Sequence, residues 1–220
     1  MEVVYFGSLL VTQHLLPLLI RTRGSRVINI SSVAGAHAFP GNSAYSAAKF
    51  ALEAWSDSLR VEVALLWWWP THDPPHSHLT RVAVAQLVPL GVHVSKVRPG
   101  SIDTKMKDSI PAILSQTYRS AGEEVRRIYG GNAYEANLLK GAEAFQRRAT
   151  PLDDVIDAVC VALTHAAPKP SYWVGIDAQI VGRLLSVLPT EWADAFKRSL
   201  VTPFAAQSDQ SEAPAATRAG

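Results

Sequence analysis

Cysteine occurs once in the 220 residues, at Cys160. A lone thiol closes no internal disulfide and supplies no thiolate cluster for zinc, so neither an oxidising compartment nor a cysteine-held metal is expected. Excess charge of one sign is equally scarce: Lys and Arg total 21 against 19 Asp and Glu, a net +2 scattered along the chain. That balance lacks the basic patch of a nucleic-acid or anionic-membrane binder, and neither partner is expected. Long uninterrupted apolar runs are missing as well. The most apolar stretch, Met1 to Ile20, carries Glu2 where a secretory signal needs basic residues, and Gln13, His14 and Pro17 break it. It is too interrupted for a signal core or a bilayer span; Val4, Leu9, Leu10, Leu15, Leu16 and Leu19 predict instead a buried helix packed among neighbours. The cytoplasm is the expected compartment, and no internal repeat is present.

What is there is 48% hydrophobic residues, enough to bury a core in one ordinary globular domain. Arg26-Val27-Ile28-Asn29-Ile30-Ser31 is a β-branched run that predicts a buried strand, followed by a small-residue loop from Ser32 to Gly41. From Ser43 to about Val63 the periodicity turns helical, with Ala44, Ala47, Ala48, Ala51, Leu52, Trp55 and Leu59 on one side. Val92 to Val97 predicts a second strand, which Arg98-Pro99-Gly100 ends. Residues 105–148 are polar and helical, interrupted at Gly130-Gly131, and suit a mobile flap. Thr150-Pro151-Leu152-Asp153-Asp154 predicts a helix start with Thr150 as N-cap, running to about His165. Ser171 to Gly175 predicts a third strand, and Ile180 to Leu200 one or two helices around Pro189. Strands alternating with helices predict an α/β fold, a parallel sheet covered by helices. Residues 203–220, rich in Ala, Ser, Gln and Pro, predict a disordered tail.

Residues 64–88 depart from this order. Trp67-Trp68-Trp69-Pro70, Pro74-Pro75 and His72, His76 and His78 make an atypical insertion, long for a helix-to-strand connection. His72, His76, His78 and Asp73 invite a metal-site reading. The prolines prevent the helix that would align two histidines, and no metal is expected.

Chemistry concentrates elsewhere. Tyr45 and Lys49 stand four apart at the start of the second helix, so both project from one face. An ammonium beside a phenol stabilises the phenolate, which lets a tyrosine act as general acid and base nearer neutrality. Ser31-Ser32 closes the preceding strand and Pro99-Gly100-Ser101-Ile102-Asp103-Thr104 follows the next, and open parallel sheets bind ligands outside the carboxyl ends of their strands. The bland alternative has Ser32 capping a loop, Tyr45 packing its ring, Lys49 solvated and Thr104 capping a helix.

These stretches resemble the short-chain dehydrogenase/reductase family. The resemblance is carried by Val11-Thr12-Gln13, Leu16-Pro17-Leu18-Leu19, Arg26 through Gly35, Tyr45-Ser46-Ala47-Ala48-Lys49-Phe50-Ala51-Leu52-Glu53-Ala54 and Val97-Arg98-Pro99-Gly100 through Thr104. Within the family they are most similar to the branch of hydroxybutyrate, retinol and hydroxysteroid dehydrogenases, a likeness that Tyr172 through Ala178 and Leu188-Pro189-Thr190 extend. It implies a Rossmann-like sheet and NAD- or NADP-dependent interconversion of a small alcohol with a ketone or aldehyde. By the resemblance Ser32 would hold the substrate oxygen and Tyr45 would exchange its proton. Lys49 would bind the nicotinamide ribose and stabilise the phenolate, and Pro99, Gly100, Ile102 and Thr104 would surround the carboxamide.

The sequence departs from the family in two places. Val4 stands where the family has an asparagine that helps hold a water relay, and valine forms no side-chain hydrogen bond. No Gly-x-x-x-Gly-x-Gly precedes Ser32, so the resemblance implies a partial catalytic domain over residues 1–202, lacking the first strands. A serine strand with an open edge predicts self-association or pairing with a full-length homologue. The rival expectation is accordingly a non-catalytic binding or regulatory partner of such a reductase.

Overall fold

Val27 and Ile28, Val94 and Val97, and Tyr172 and Val174 are β-branched or aromatic residues in short runs, and each run forms a strand. A computed structural model describes residues 1–39, 41–65, 92–147 and 149–201. Its three strands, β1 (Arg26–Ile30), β2 (His93–Pro99) and β3 (Ser171–Val174), form one parallel sheet in the order β1-β2-β3. The register sets Ile30 beside Val97 and Val97 beside Tyr172. All three strands therefore end at one rim. The expected α/β architecture is observed.

The described residues divide into two compact units. The first, Met1–Ile102 with Thr150–Val187, holds the sheet. Its leading helix has a π-helical turn, Glu2–Phe6, running into α1 (Gly7–Arg21), and α2 spans Ser43–Leu65. Alanine-rich turns favour α2. Leu59, Val92 and Val94 form a buried cluster with Leu16, Val27 and Trp55, which places α1 and α2 on one face of the sheet. Val97, Val155 and Val174 pack with Ile28, Ala158 and Val159 on the other face, under the helix Leu152–Thr164. In the second unit, α3 (Lys105–Ser120) packs on α5 (Gly131–Gln146). The short α4 (Glu123–Ile128) lies between them in sequence, and Leu152–Thr164 follows as α6. Tyr118 donates its hydroxyl to the Gly131 carbonyl at 2.7 Å, at the expected break in the helical run. The chain ends its described part with α7 (Arg183–Leu185) in the first unit and α8 (Thr190–Val201) in the second.

Two local expectations are corrected. The leading helix is not buried: Val3 is 87% exposed, Val11 61% and Leu18 62%. Among the described residues no strand lies beyond β1 to cover it, and one side of α1 with the outer edge of β1 instead lines an open groove of about 520 Å3. Its stretch Glu2–Leu19 is long and apolar enough to cross a membrane by length and composition. Thr150, expected to cap α6, is drawn into a bridge with Ile102, its N–H donating to the Ser101 carbonyl at 2.8 Å. Pro151, at φ −55° and ψ 145°, is the N-cap in its place. The insertion reading at 64–88 falls almost wholly on residues 66–91 and the tail reading on 202–220, both outside the described residues.

Alternation along β2 turns Val92, Val94, Lys96 and Arg98 toward α2. Lys96 is only 3% exposed there. Its ammonium lies 2.8 Å from Glu53 Oε2 and 2.6 Å from Asp57 Oδ1, while Arg98 grips Glu53 through Nε at 2.9 Å and Nη2 at 2.7 Å. Glu53 and Asp57 are one turn apart on α2 and would repel without Lys96 between them. Burial alone would raise the Glu53 carboxyl, yet hydrogen bonds from Arg98 and Lys96 hold it below the ordinary carboxylate range. Its folded pKa is thus the lower one, and its contribution to stability is complete above the unfolded value. That contribution is lost as pH falls through the folded value. Glu53→Gln should destabilise the protein by about 3–5 kcal/mol at neutral pH, because Arg98 loses its carboxylate and buried Lys96 keeps only Asp57. Urea melts should also show a shallower loss of stability on acidification below about pH 4.3 in the variant than in the parent.

Candidate active site

The first turn of α2 faces the rim at the end of β1. Lys49 Nζ donates to the carbonyl of Ile30, the last residue of β1, at 2.9 Å, and lies 5.7 Å from the centre of the Tyr45 ring. Tyr45 and Lys49 therefore share one face, as their spacing predicted. Tyr45 is 39% exposed, open to a ligand from solvent. Continuing the stripe by four residues reaches Glu53 and then Asp57, so Tyr45, Lys49, Glu53 and Asp57 run along one side of α2 from the rim into the charged interior.

Ser32 caps a short 3-10 turn, Val33–Gly35, its Oγ accepting from the Ala34 N–H at 3.2 Å. It is buried. Gly35 lets the turn lie against α2: a Cβ there would stand 3.1 Å from the Lys49 carbonyl and 3.0 Å from Glu53 Cγ. The cap that the bland reading assigned to Ser32 is thus real, and it fixes the serine beside the helix that carries Tyr45 and Lys49.

Pro99 closes β2, and Gly100 and Ile102 follow at the same rim, Gly100 donating its N–H to the Val174 carbonyl at 2.9 Å. Thr104 belongs to the second unit, where it precedes α3 as N-cap without a side-chain hydrogen bond. Ser32, Tyr45, Lys49, Pro99, Gly100 and Ile102 are thus gathered within one unit. A second open concavity, of about 340 Å3, lies among Asp154, Asp157, Lys169 and Arg183; neither it nor the groove at α1 includes Ser32, Tyr45 or Lys49.

Sequence reasoning passed over the residues that support this rim. Arg98 stacks its guanidinium 4.6 Å from the centre of the Trp173 ring, and Trp173 stacks on buried His37. His37 Nε2 donates to the Gly182 carbonyl at 2.7 Å, tying the Ser32 loop to the C-terminal segment of the unit. The i+4 continuation from Lys49 to Glu53 was the available signal for the charged group; no local pattern announced His37.

Burial pushes the Lys49 ammonium down from the ordinary lysine range, and the Glu53 carboxylate pulls part of the way back. Lys49 should consequently react with a trace acylating reagent at lower pH than an ordinary lysine, as read by mass spectrometry of labelled peptides. In Glu53→Gln the midpoint should move lower still, whereas an ordinary and unmoved midpoint would contradict this electrostatic picture.

The family profile described as short chain dehydrogenase matches residues 1–65. The chain is 34% identical over 175 residues to the mitochondrial D-beta-hydroxybutyrate dehydrogenase of Mus musculus, covering 78% of this chain and 44% of that protein. It is 32% identical over 198 residues to the 17-beta-hydroxysteroid dehydrogenase type 6 of Bos taurus, covering 88% and 54%. The chain spans about half the length of the curated relatives it matches. Among solved structures, a short-chain dehydrogenase from Streptomyces avermitilis superposes with TM-score 0.54 at 26% identity, over 91% of this chain and 60% of that one. A short chain dehydrogenase from Burkholderia cenocepacia, solved in complex with NADP, shares the fold with TM-score 0.52 at 23% identity, over 92% and 57%. With the Tyr45–Lys49 pair, the Ser32 turn and the Pro99-Gly100 loop at the ends of parallel strands, these likenesses make the chain a member of the short-chain dehydrogenase/reductase family.

Proposed function

We propose that the protein is an NAD- or NADP-dependent oxidoreductase interconverting a small alcohol with a ketone or aldehyde, with Ser32, Tyr45 and Lys49 as its catalytic residues. The observation that carries this reading is Lys49 Nζ on the Ile30 carbonyl with the Tyr45 ring 5.7 Å away, on a helix whose Lys49 backbone lies against the Ser32 turn at Gly35. The donor set suits a nicotinamide ribose: an ammonium and a hydroxyl stand together at a strand rim. Pro99, Gly100 and Ile102 are the residues of the first unit proposed to surround the carboxamide.

When bound, the nicotinamide gives or takes the hydride. Ser32 Oγ donates to the substrate oxygen and orients the carbonyl. Tyr45 delivers its phenolic proton to that oxygen in reduction and accepts it back in oxidation. Lys49, held positive in part by Glu53, stabilises the phenolate left on Tyr45 and bonds the ribose hydroxyls. The substrate class is supported by relatives named for a hydroxybutyrate and a hydroxysteroid. The proposed compartment is the cytoplasm, supported by a single cysteine that is exposed and free, although one relative is named as mitochondrial.

The second reading is a non-catalytic partner that pairs with itself or with a full-length homologue. It is favoured by the edge position of β1 and the exposed apolar side of α1. One assay separates the two: the purified chain, alone and mixed with a full-length relative, is tested with NADH and NADPH against hydroxy-acid, steroid and retinoid substrates. The enzymatic reading predicts turnover that Tyr45→Phe lowers by about 10²–10⁴-fold while cofactor binding persists. Near-normal turnover in Tyr45→Phe would sink that reading. Absence of turnover, with a heavier species in sedimentation that contains the chain, favours the partner reading.

A further inference from the structure

Asp177 follows β3 at the rim and opens the π-helical turn Asp177–Gly182. Its Oδ2 accepts the N–H of Ser101 at 2.7 Å, and Oδ1 accepts the N–H of Ala178 at 2.8 Å. One carboxylate thus ties the loop after β2 to the segment after β3. Two glycines make room for it. A Cβ on Gly100 would overlap the Asp177 carboxylate, and one on Gly175 would stand 2.7 Å from Oδ1 and 2.8 Å from Thr150 Oγ1. Gly175 also sits at φ 96°, a conformation side chains disfavour. The Gly100 N–H on Val174 and the Thr150 N–H on the Ser101 carbonyl complete the clamp. The peptide groups from Gly100 to Ile102 are therefore held in a single orientation from three sides.

We infer that Asp177 is a positioning residue that presents the backbone of residues 100–102 to the carboxamide of a nicotinamide ring, an assignment that rests on the cofactor site proposed above. The carboxylate touches neither substrate nor cofactor; it acts through Ser101. A carboxamide is a planar donor–acceptor pair, so a peptide backbone discriminates it only when the backbone is prevented from rotating. Charge-assisted bonds from a carboxylate to backbone N–H groups are stronger than neutral ones, and they supply that restraint. Gly100 and Gly175 are, on this account, required by the carboxylate between them.

The test uses the 220-residue chain and two probes, nicotinamide mononucleotide and the same nucleotide lacking the carboxamide, with affinities measured by titration calorimetry. The parent should prefer the carboxamide-bearing nucleotide by about tenfold, the size of a backbone hydrogen-bond pair. Asp177→Ala should bring that preference toward one while leaving affinity for the carboxamide-free probe unchanged, a split that general destabilisation would not produce. Asp177→Asn keeps one acceptor oxygen and should fall between. Gly175→Ala, whose Cβ would crowd Asp177 Oδ1 and displace the carboxylate without removing it, should match Asp177→Ala and decides the matter if that variant does not fold. A parent that discriminates, with variants that discriminate equally, overturns the role of Asp177 alone. A parent that shows no preference overturns the nicotinamide site and this inference together.

Discussion

A carboxylate buried between two cations is the constraint on which the rest of the first unit depends. Glu53 is 6% exposed and is held by Arg98 and Lys96, both on the face of β2 that meets α2. Separating any one of these charges from its partners leaves an ion out of water without compensation, so the pairing sets how α2 lies along the sheet. Once that is set, Lys49 one turn back reaches the end of β1, and Tyr45 one turn further meets solvent at the rim. Replacing the cluster with apolar residues of similar size would preserve packing but remove the charge that partly offsets the effect of burial on Lys49. Structure and chemistry meet in the same four-residue stripe.

The parallel sheet supplies the second requirement. Because β1, β2 and β3 run the same way, the Ser32 turn, the Gly100 loop and Asp177 all emerge at one end. The Ser32 turn, the Gly100 loop and the start of α2 then lie at that rim. His37, Trp173 and Arg98 reinforce it from below, linking the Ser32 loop back to Glu53.

Much of this was legible in the sequence, for identifiable reasons. The strands announced themselves through β-branched runs, α2 through its alanine spacing, and the Tyr45–Lys49 pair through the helical repeat. What was hidden depended on tertiary contact. Lys96 read as an ordinary polar position of a strand and Arg98 as part of the turn that ends it, since only α2 reveals their burial; Asp177 lies far along the chain from the loop it restrains. The leading helix misled because its apolar residues match a packed helix, whereas burial also requires a neighbour, and only its Leu16 side finds one in the described sheet. Thr150 had the chemistry of a cap but was claimed by the Ile102 bridge.

The central claim is that the ends of β1 and β2 with the first turn of α2 receive a nicotinamide nucleotide. Amide chemical shifts of the isotope-labelled chain, followed as NADPH and then NADH are added, test it most directly. The account predicts that the largest changes fall on residues 31–35, 45–49 and 100–102. Changes centred on the Asp154–Arg183 concavity, or none at saturating nucleotide, would contradict it.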